Sequence, residues 1–184
     1  DLWVRHPFTH PLETPQGGSQ MDQQTHILHV DDDPGIVEVT KTVLERENPA
    51  FQVNTATSGA EGLETVRTED IDCVVSDYEM PGQDGIEFLQ AVRAEYADLP
   101  CILFTGRGSE AIASEAISAG VTDYLQKGTG TDQYAVLANR VANAVEQYRS
   151  KHRLREREQE LEQKNDELAT TRTRLERALQ TTET

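Results

Sequence analysis

The stretch that decides the fold is 74-VVSDYEMPGQDG-85, in which Asp77 ends an apolar run and a turn-rich segment follows. A charged carboxylate is costly to bury unless a cation or hydrogen-bond donors compensate it. The stretch therefore predicts a buried strand that ends in a carboxylate with a partner elsewhere in the chain. The segments on either side supply the candidates for that partner.

Apolar runs and segments with helical spacing alternate on both sides of this stretch. The apolar runs begin at His26, Phe51, Ile71, Pro100 and Val121, and a helical pattern follows each of them. Five strands that alternate with five helices predict parallel βαβ units, hence an α/β fold with helices on both faces of a twisted sheet. In such sheets, functional groups gather at the carboxyl ends of the strands.

Polar side chains stand at the predicted ends of four strands. They are Asp31 and Asp32 after the first strand, Asp77 after the third, Thr105 after the fourth and Lys127 after the fifth. Clustered carboxylates favour protonation unless a cation lies among them, and oxygen ligands without nearby His or Cys favour Mg²⁺. Beside Mg²⁺ and Lys127, Asp77 can act as a carboxylate nucleophile towards a phosphoryl group.

Four motifs in this order and spacing, ILHVDDDP, VVSDYEMPGQDG, ILFTG and DYLQKG, resemble the receiver domain of two-component response regulators. The resemblance covers roughly residues 25–148. It implies a flavodoxin-like, doubly wound, five-stranded parallel sheet with strand order 2-1-3-4-5. It also implies a signalling domain, not an enzyme, that takes a phosphoryl group from a histidine kinase.

The resemblance assigns the metal ligands and the phosphoacceptor. Asp77 is the phosphoacceptor and a Mg²⁺ ligand, Asp32 binds Mg²⁺ directly, and Asp31 binds it through water. The backbone carbonyl of Glu79 completes the protein ligands. Asp33 is expected to cap the first helix or to remain solvated rather than to bind the metal.

The resemblance also assigns the groups around the phosphoryl group. Thr105 hydrogen-bonds it, Lys127 pairs with it, and Tyr124 is the aromatic side chain that swings inward on activation. Glu79 and Arg107 occupy the two positions that tune the lifetime of the aspartyl phosphate. Their opposite charges predict an ion pair across the mouth of the site.

One position departs from the family pattern. Gly128 follows Lys127 where receivers usually have proline, which allows a cis peptide bond. Because a cis bond before a non-proline residue costs about 3 kcal/mol, the loop that holds Lys127 is expected to differ in shape.

Two other interpretations of the site stay open from the residues alone. A pseudo-receiver would keep the fold and bind partners without phosphorylation. A phosphatase of the haloacid dehalogenase type would use Asp31 as nucleophile, with Asp33, Thr105 and Lys127. Gly35 replaces the Thr or Val that this second plan expects, and no acidic pair follows Lys127 at a strand end, so the plan is disfavoured.

The formal net charge of −16 restricts the partners and the compartment. The first 150 residues carry nine basic and 25 acidic residues, a field that disfavours direct nucleic-acid binding. An acidic, lysine-poor surface is typical of salt-loving microbes, such as halophilic archaea.

Cys73 and Cys101 lie in apolar runs, which predicts buried reduced thiols and a cytoplasmic location. Neither a membrane-spanning run nor a signal peptide is recognisable.

The chain divides into three parts by composition. Residues 1–22 are rich in Pro, Gly, Gln and Thr and are expected to be a disordered or vector-derived leader. Residues 23–148 form the predicted receiver domain. Residues 149–184 are expected to be a helical, coiled-coil-like linker, which leads to an output domain if the chain is a fragment.

Leucines recur every seven residues along this linker. They are Leu154, Leu161, Leu168 and Leu175, and Leu179 follows four residues later. If the first four occupy the d positions of a heptad, the a positions are mostly polar and include Asn165, a residue that can set register. The pattern predicts a parallel homodimer through this helix, and a single solvated helix stays open as the alternative.

Overall fold

The structure, a computed structural model, describes residues 24–182, with side chains as far as residue 180. Within this range there are five strands, β1 (Thr25–Val30), β2 (Phe51–Ala56), β3 (Cys73–Ser76), β4 (Cys101–Thr105) and β5 (Asp123–Gln126). There are five helices, α1 (Pro34–Glu47), α2 (Gly59–Thr68), α3 (Gly85–Glu95), α4 (Glu110–Ser118) and α5 (Asp132–Thr182). The expected leader, residues 1–22, lies outside the described residues.

All strand pairs are parallel, and the strand order is β2-β1-β3-β4-β5. The strand order reverses beside β1, because the chain goes outward to β2 and then returns to pair β3 with β1. The carboxyl ends of β1, β3 and β4 therefore lie side by side at one edge of the sheet. The predicted α/β class, the flavodoxin-like order 2-1-3-4-5 and the long C-terminal helix are confirmed.

Two apolar layers cover the two faces of the sheet, since successive side chains of a strand point to opposite faces. On one face, Leu28 and Val30 pack with Phe88 of α3. On the other face, Ile27 packs in a cluster with Phe104 of β4. Each of these side chains is buried. Both faces of β3 are therefore covered, which explains why its sequence CVVS is a short run without polar–apolar alternation.

Short polar side chains fix the starts of three helices. The side chain of Asp33 accepts from the backbone N–H groups of Gly35 and Ile36 and so caps α1. Ser58 and Ser109 cap α2 and α4 in the same way. The role expected for Asp33 as a capping residue is confirmed, and such a cap contributes about 1 kcal/mol to stability.

The helix α5 has two parts with different surroundings. Its first part buries Leu137, Val141 and Val145 against the sheet. From residue 153 to residue 180, every side chain is exposed. We call residues 149–180 the tail. The division between a receiver ending at residue 148 and a linker of residues 149–184 stays a prediction.

Ion pairs hold the tail at the amino-terminal edge of the sheet, opposite to the predicted site. Arg149 Nη2 lies 2.9 Å from Asp72 Oδ2. Lys151 Nζ and Arg155 Nη1 lie 2.8 Å and 2.6 Å from the two carboxylate oxygens of Asp98, in the loop between α3 and β4. These contacts join the start of the tail to the receiver.

Cys73 and Cys101 are buried and unpaired, as expected for reduced thiols. Among residues 24–182, no helix combines the length and the apolar composition that crossing a membrane requires.

Candidate functional site

Backbone hydrogen bonds extend the sheet by one residue and so position two side chains of the site. The N–H of Asp77 donates to the carbonyl of Val30 over 2.8 Å, and the N–H of Lys127 donates to the carbonyl of Thr105 over 2.7 Å. Asp77 is thereby placed beside the end of β1, and Lys127 beside the end of β4. The parallel register, rather than proximity in sequence, brings these residues together.

The ammonium group of Lys127 bridges two buried carboxylates. Its Nζ lies 2.6 Å from Asp31 Oδ2 and 2.8 Å from Asp77 Oδ1. The second oxygen of each carboxylate accepts a backbone N–H, from Asp33 over 3.0 Å and from Glu79 over 2.8 Å. Only 2% of the Asp31 side chain and 10% of the Asp77 side chain are exposed. Lys127 is therefore the partner that the carboxylate at the end of the apolar run required.

The carboxylates of Asp31 and Asp77 share one cation, the ammonium of Lys127, and the pKa values of Asp77 and Lys127 are both shifted. Burial raises the pKa of Asp77, an effect that the hydrogen bond and charge of Lys127 oppose and that the charge of Asp31 reinforces. Burial alone would lower the pKa of Lys127, but its hydrogen bonds to Asp31 and Asp77 outweigh burial and raise it. One ammonium does not fully compensate two carboxylates, so the site has capacity for a further positive charge.

Replacing Asp77 by Asn is expected to stabilise the fold at pH 7 in EDTA. Because the pKa of Asp77 is raised in the folded state, the folded state loses stability as the pH rises through that pKa. The Asn variant avoids this loss. Urea denaturation should show a gain of at most about 1 kcal/mol, since water at the open mouth screens the site.

The gain should disappear as the pH falls to about 4, where carboxyl groups of the unfolded chain take up protons. Asp98→Asn is the control of opposite sign, because hydrogen bonds from Lys151 and Arg155 lower the pKa of Asp98 to about 2. That variant should lose stability at pH 7, a loss that shrinks as the pH falls towards 2. A gain for Asp77→Asn that persisted undiminished at pH 4 would contradict this account.

The mouth of the site is formed by Thr105, Arg107 and Glu79. Thr105 is buried, and its Oγ1 accepts the backbone N–H of Arg107 over 3.2 Å. Arg107 Nη1 lies 2.9 Å from Glu79 Oε1. The structure thus contains the ion pair that the sequence predicted. With exposed fractions of 77% and 51%, the pair contributes little to stability and can open without a large energetic cost.

Tyr124 lies in β5 and packs against the apolar layer that contains Leu103. Its hydroxyl oxygen is enclosed and has no hydrogen-bond partner in the described part of the chain.

The peptide bond between Lys127 and Gly128, where the family pattern has a proline, is trans. Lys127 reaches both carboxylates without the cis bond that the family pattern would allow.

The oxygen donors at this edge fit a partly hydrated Mg²⁺. Asp32 is exposed and lines a shallow cleft of about 420 Å³ together with Glu79. No three His, Cys, Asp or Glu side chains within residues 24–182 are arranged to hold a metal by themselves. The structure therefore brings Asp31 and Asp77 together and leaves Asp32 at the edge. Mg²⁺ commonly binds through one or two carboxylates and keeps several waters, which suits this donor set.

Gly85 is a site residue that the sequence interpretation missed. Its N–H donates to the carbonyl of Tyr78 over 2.8 Å, which closes the loop after the acceptor position. A Cβ atom at Gly85 would lie 1.9 Å from the backbone oxygen of Asp77. The signal in the sequence was a glycine directly after the helix-capping Asp84, at the start of α3.

Comparisons with known proteins identify relatives of this chain. The model of the response regulator receiver domain family matches residues 27–139. The transcriptional regulatory protein GlrR of Escherichia coli K12 is 35% identical over 122 residues, which are 66% of this chain and 26% of that protein. The response regulator SaeR of Staphylococcus aureus is 30% identical over 124 residues, 67% of this chain and 53% of that protein. The chain thus spans about a quarter to about half of these relatives.

Solved structures with a similar fold include a receiver domain from Clostridium thermocellum, with 29% identity and a TM-score of 0.60, covering 68% of this chain and 97% of that one. Another is TrrA from Thermotoga maritima in complex with Mg²⁺-BeF, with 30% identity and a TM-score of 0.57, covering 64% of this chain and 99% of that one. The lysine-bridged aspartates stand where the sheet of such a fold presents its functional groups. Fold, site and relatives together show that this chain belongs to the family of response regulator receiver domains of two-component systems.

Proposed function

We propose that Asp77 accepts a phosphoryl group from a histidine kinase in a Mg²⁺-dependent reaction. The observation that carries the proposal is the single ammonium of Lys127, held within 2.8 Å of both Asp31 and Asp77 at the edge of the sheet. The ammonium opposes the rise that burial causes in the pKa of Asp77, and one ammonium between two carboxylates leaves the site short of positive charge. A divalent cation and a phosphoryl group with its oxygens would complete it.

In the reaction, a carboxylate oxygen of Asp77 attacks the phosphorus, and the bond from phosphorus to the donor's imidazole nitrogen breaks. The electron pair of that bond stays on the leaving imidazole. Lys127 moves its charge from the carboxylate pair towards the incoming phosphoryl oxygens. Thr105 can donate its hydroxyl proton to one of these oxygens while its own oxygen still accepts from Arg107.

The metal would be held by Asp31, Asp32, Asp77 and the backbone carbonyl of Glu79. When bound, Mg²⁺ neutralises charge on the phosphoryl oxygens and so lowers the barrier to transfer. A receiver relative, TrrA, was solved in complex with Mg²⁺-BeF, which supports the choice of metal.

The remaining site residues would regulate the phosphorylated state. We expect Tyr124 to follow Thr105 inward, since its hydroxyl is enclosed without a partner and a new position can supply one. Glu79 and Arg107 lie over the mouth and would control how water reaches the aspartyl phosphate. The chain is then a signalling domain rather than an enzyme.

The test is the intact mass of the full chain after incubation with acetyl phosphate. We expect a gain of one phosphoryl group with Mg²⁺, no gain in EDTA, and no gain for Asp77→Asn. Asp33→Asn is the matched control, because Asn keeps the helix cap and this residue has no part in the proposed transfer. It should be phosphorylated as the natural chain is.

The two alternatives predict different masses. A pseudo-receiver would gain no phosphoryl group under any of these conditions. A phosphatase that uses Asp31 would still gain one in Asp77→Asn and would lose turnover in Asp33→Asn. Both alternatives are less well supported than phosphorylation of Asp77. The phosphatase needs Asp33 as a catalytic group, whereas Asp33 caps α1. A pseudo-receiver would not need Lys127 to contact both Asp31 and Asp77.

We further propose that the output passes through the tail, which forms a homodimer. The leucines of the tail are exposed at heptad spacing, and the tail continues the helix that packs on β4. That this acidic chain does not bind nucleic acid directly stays a prediction, since relatives such as GlrR are named transcriptional regulatory proteins and are much longer than the matched part.

A further inference from the structure

The tail presents a stripe of apolar side chains to solvent. Leu154, Leu161, Leu168 and Leu175, which we call the leucine face, have exposed fractions of 61%, 61%, 67% and 59%. Their seven-residue spacing places them on one side of the helix, which is the d position of a heptad. The other side chains of the tail are mostly charged or polar, so one narrow stripe is available for burial.

We infer that the leucine face is covered by the same face of a second copy of this chain, parallel and in register. The inference rests on the proposed homodimer and on the parallel orientation that the leucine spacing predicts, and it adds the register and the contribution of Asp98 of the receiver. In this arrangement the two receivers lie at the same end of the helix pair.

Asn165 favours the parallel orientation. It occupies an a position, and only a parallel, in-register pair places the two Asn165 amides opposite each other, where they can hydrogen-bond. In an antiparallel pair, a positions face d positions, so each Asn165 would face Leu161 or Leu168 of the other copy. A buried amide without a partner costs free energy, which disfavours that orientation.

The charges beside the leucine face also favour the parallel orientation. Arg157, at a g position, would face Glu162 of the second copy at the following e position, and symmetry forms this ion pair twice. In an antiparallel pair, the corresponding ion pair would join Arg155 of one copy to Glu176 of the other. Both of these are already engaged within their own chain, Arg155 with Asp98 at 2.6 Å and Glu176 with its helix neighbour at i−4 at 2.8 Å.

Ion pairs within each chain reduce repulsion between the parallel helices. Lys151 and Arg172 occupy a positions, so each would face its own copy. Asp98 of the receiver lies 2.8 Å from Lys151 Nζ, and Glu176 lies 2.8 Å from Arg172 Nε. Their charges are therefore compensated before the helices meet. Glu158 is the charged a-position residue for which no such ion pair is described. The layer in which the two Glu158 side chains meet is therefore the weakest of the helix pair.

Cysteine cross-linking of the full chain tests the geometry. Leu154→Cys and Leu175→Cys, made separately, should each form a disulfide-linked dimer on mild oxidation that reductant reverses. The two natural cysteines are buried and should give little background. Gln163→Cys is the matched control, because residue 163 lies on the outer side of the helix and should cross-link only at the background level.

Sedimentation of the same samples separates the two levels of the proposal. A dimer that cross-links at both leucine positions supports the parallel, in-register pair. A dimer that cross-links at neither overturns the orientation and leaves the homodimer standing. A monomer at all concentrations overturns the homodimer and this inference together, whatever the outcome of the phosphorylation experiment.

Asp98→Asn tests the contribution of the receiver. Because it exposes the Lys151 charges to each other and frees Arg155, it should raise the dissociation constant of a parallel dimer about threefold. Asp132→Asn, at the first residue of α5 and far from the tail, should leave the constant unchanged. An unchanged or lower constant for Asp98→Asn would overturn the role of Asp98.

Discussion

Replacing Lys127 by Met is expected to slow phosphorylation of Asp77 by about 100-fold, the cost of removing one preorganised charge-stabilising group from an active site. Met keeps the length of the side chain and removes its charge. Asp31 and Asp77 would then face each other without the ammonium that lies 2.6 Å and 2.8 Å from them. Time courses of intact mass with acetyl phosphate and Mg²⁺ measure the rate.

The same variant should be less stable in EDTA, by about 3 kcal/mol in urea denaturation, because it leaves buried carboxylates without their counter-ion. Arg107→Met is the matched control, since it also removes one positive charge but from an ion pair that is mostly exposed. It should keep its stability within about 1 kcal/mol of the natural chain. A Lys127→Met variant that is phosphorylated at the natural rate would refute the role given to the ammonium.

Replacing Gly85 by Ala is expected to destabilise the receiver by about 2 to 3 kcal/mol, a typical cost of overpacking. The added Cβ would lie 1.9 Å from the carbonyl oxygen of Asp77 and 3.0 Å from the Cα of Tyr78. Backbone atoms cannot rotate away as a flexible side chain can, so α3 and the acceptor loop must separate. Urea denaturation followed by far-ultraviolet circular dichroism measures the loss.

Gly106→Ala is the matched control for the same chemical change. A Cβ there meets no atom within 4 Å, and Gly106 directly follows β4, which ends at Thr105. Its stability should stay within about 0.5 kcal/mol of the natural chain. Equal urea midpoints for the two variants would show that the close approach at Gly85 is relieved by a small shift.

The order and type of the elements followed from the sequence because they depend on local physics. Apolar runs of strand length, helical spacing and the capping side chains of Asp33, Ser58 and Ser109 each act over a few residues. The strand boundaries in the structure differ by one or two residues from the apolar runs. The backbone hydrogen bonds between neighbouring strands, rather than the side chains, decide where a strand ends. The strand order came from the resemblance of the motifs and not from the residue pattern alone.

Within the site, the sequence indicated which side chains would lie at the edge of the sheet but not how they would share their charges. That Lys127 would bridge Asp31 and Asp77, while Asp32 stays exposed at the edge, depends on side-chain geometry. Gly85 was missed because its importance comes from a backbone carbonyl eight residues earlier. Asp98 was missed because nothing near it in sequence marks it as a partner of the tail.

The sequence by itself determined the class of the fold, the carboxylates and the lysine of the site, and the heptad of leucines in the tail. Periodicity and motif spacing encode these features along the chain. Only the tertiary structure decided that residues 96 positions apart, Asp31 and Lys127, form an ion pair, and that Asp98 holds the start of the tail. Such contacts depend on strand register and on the direction in which a helix leaves the core, and the packing of the whole domain fixes both.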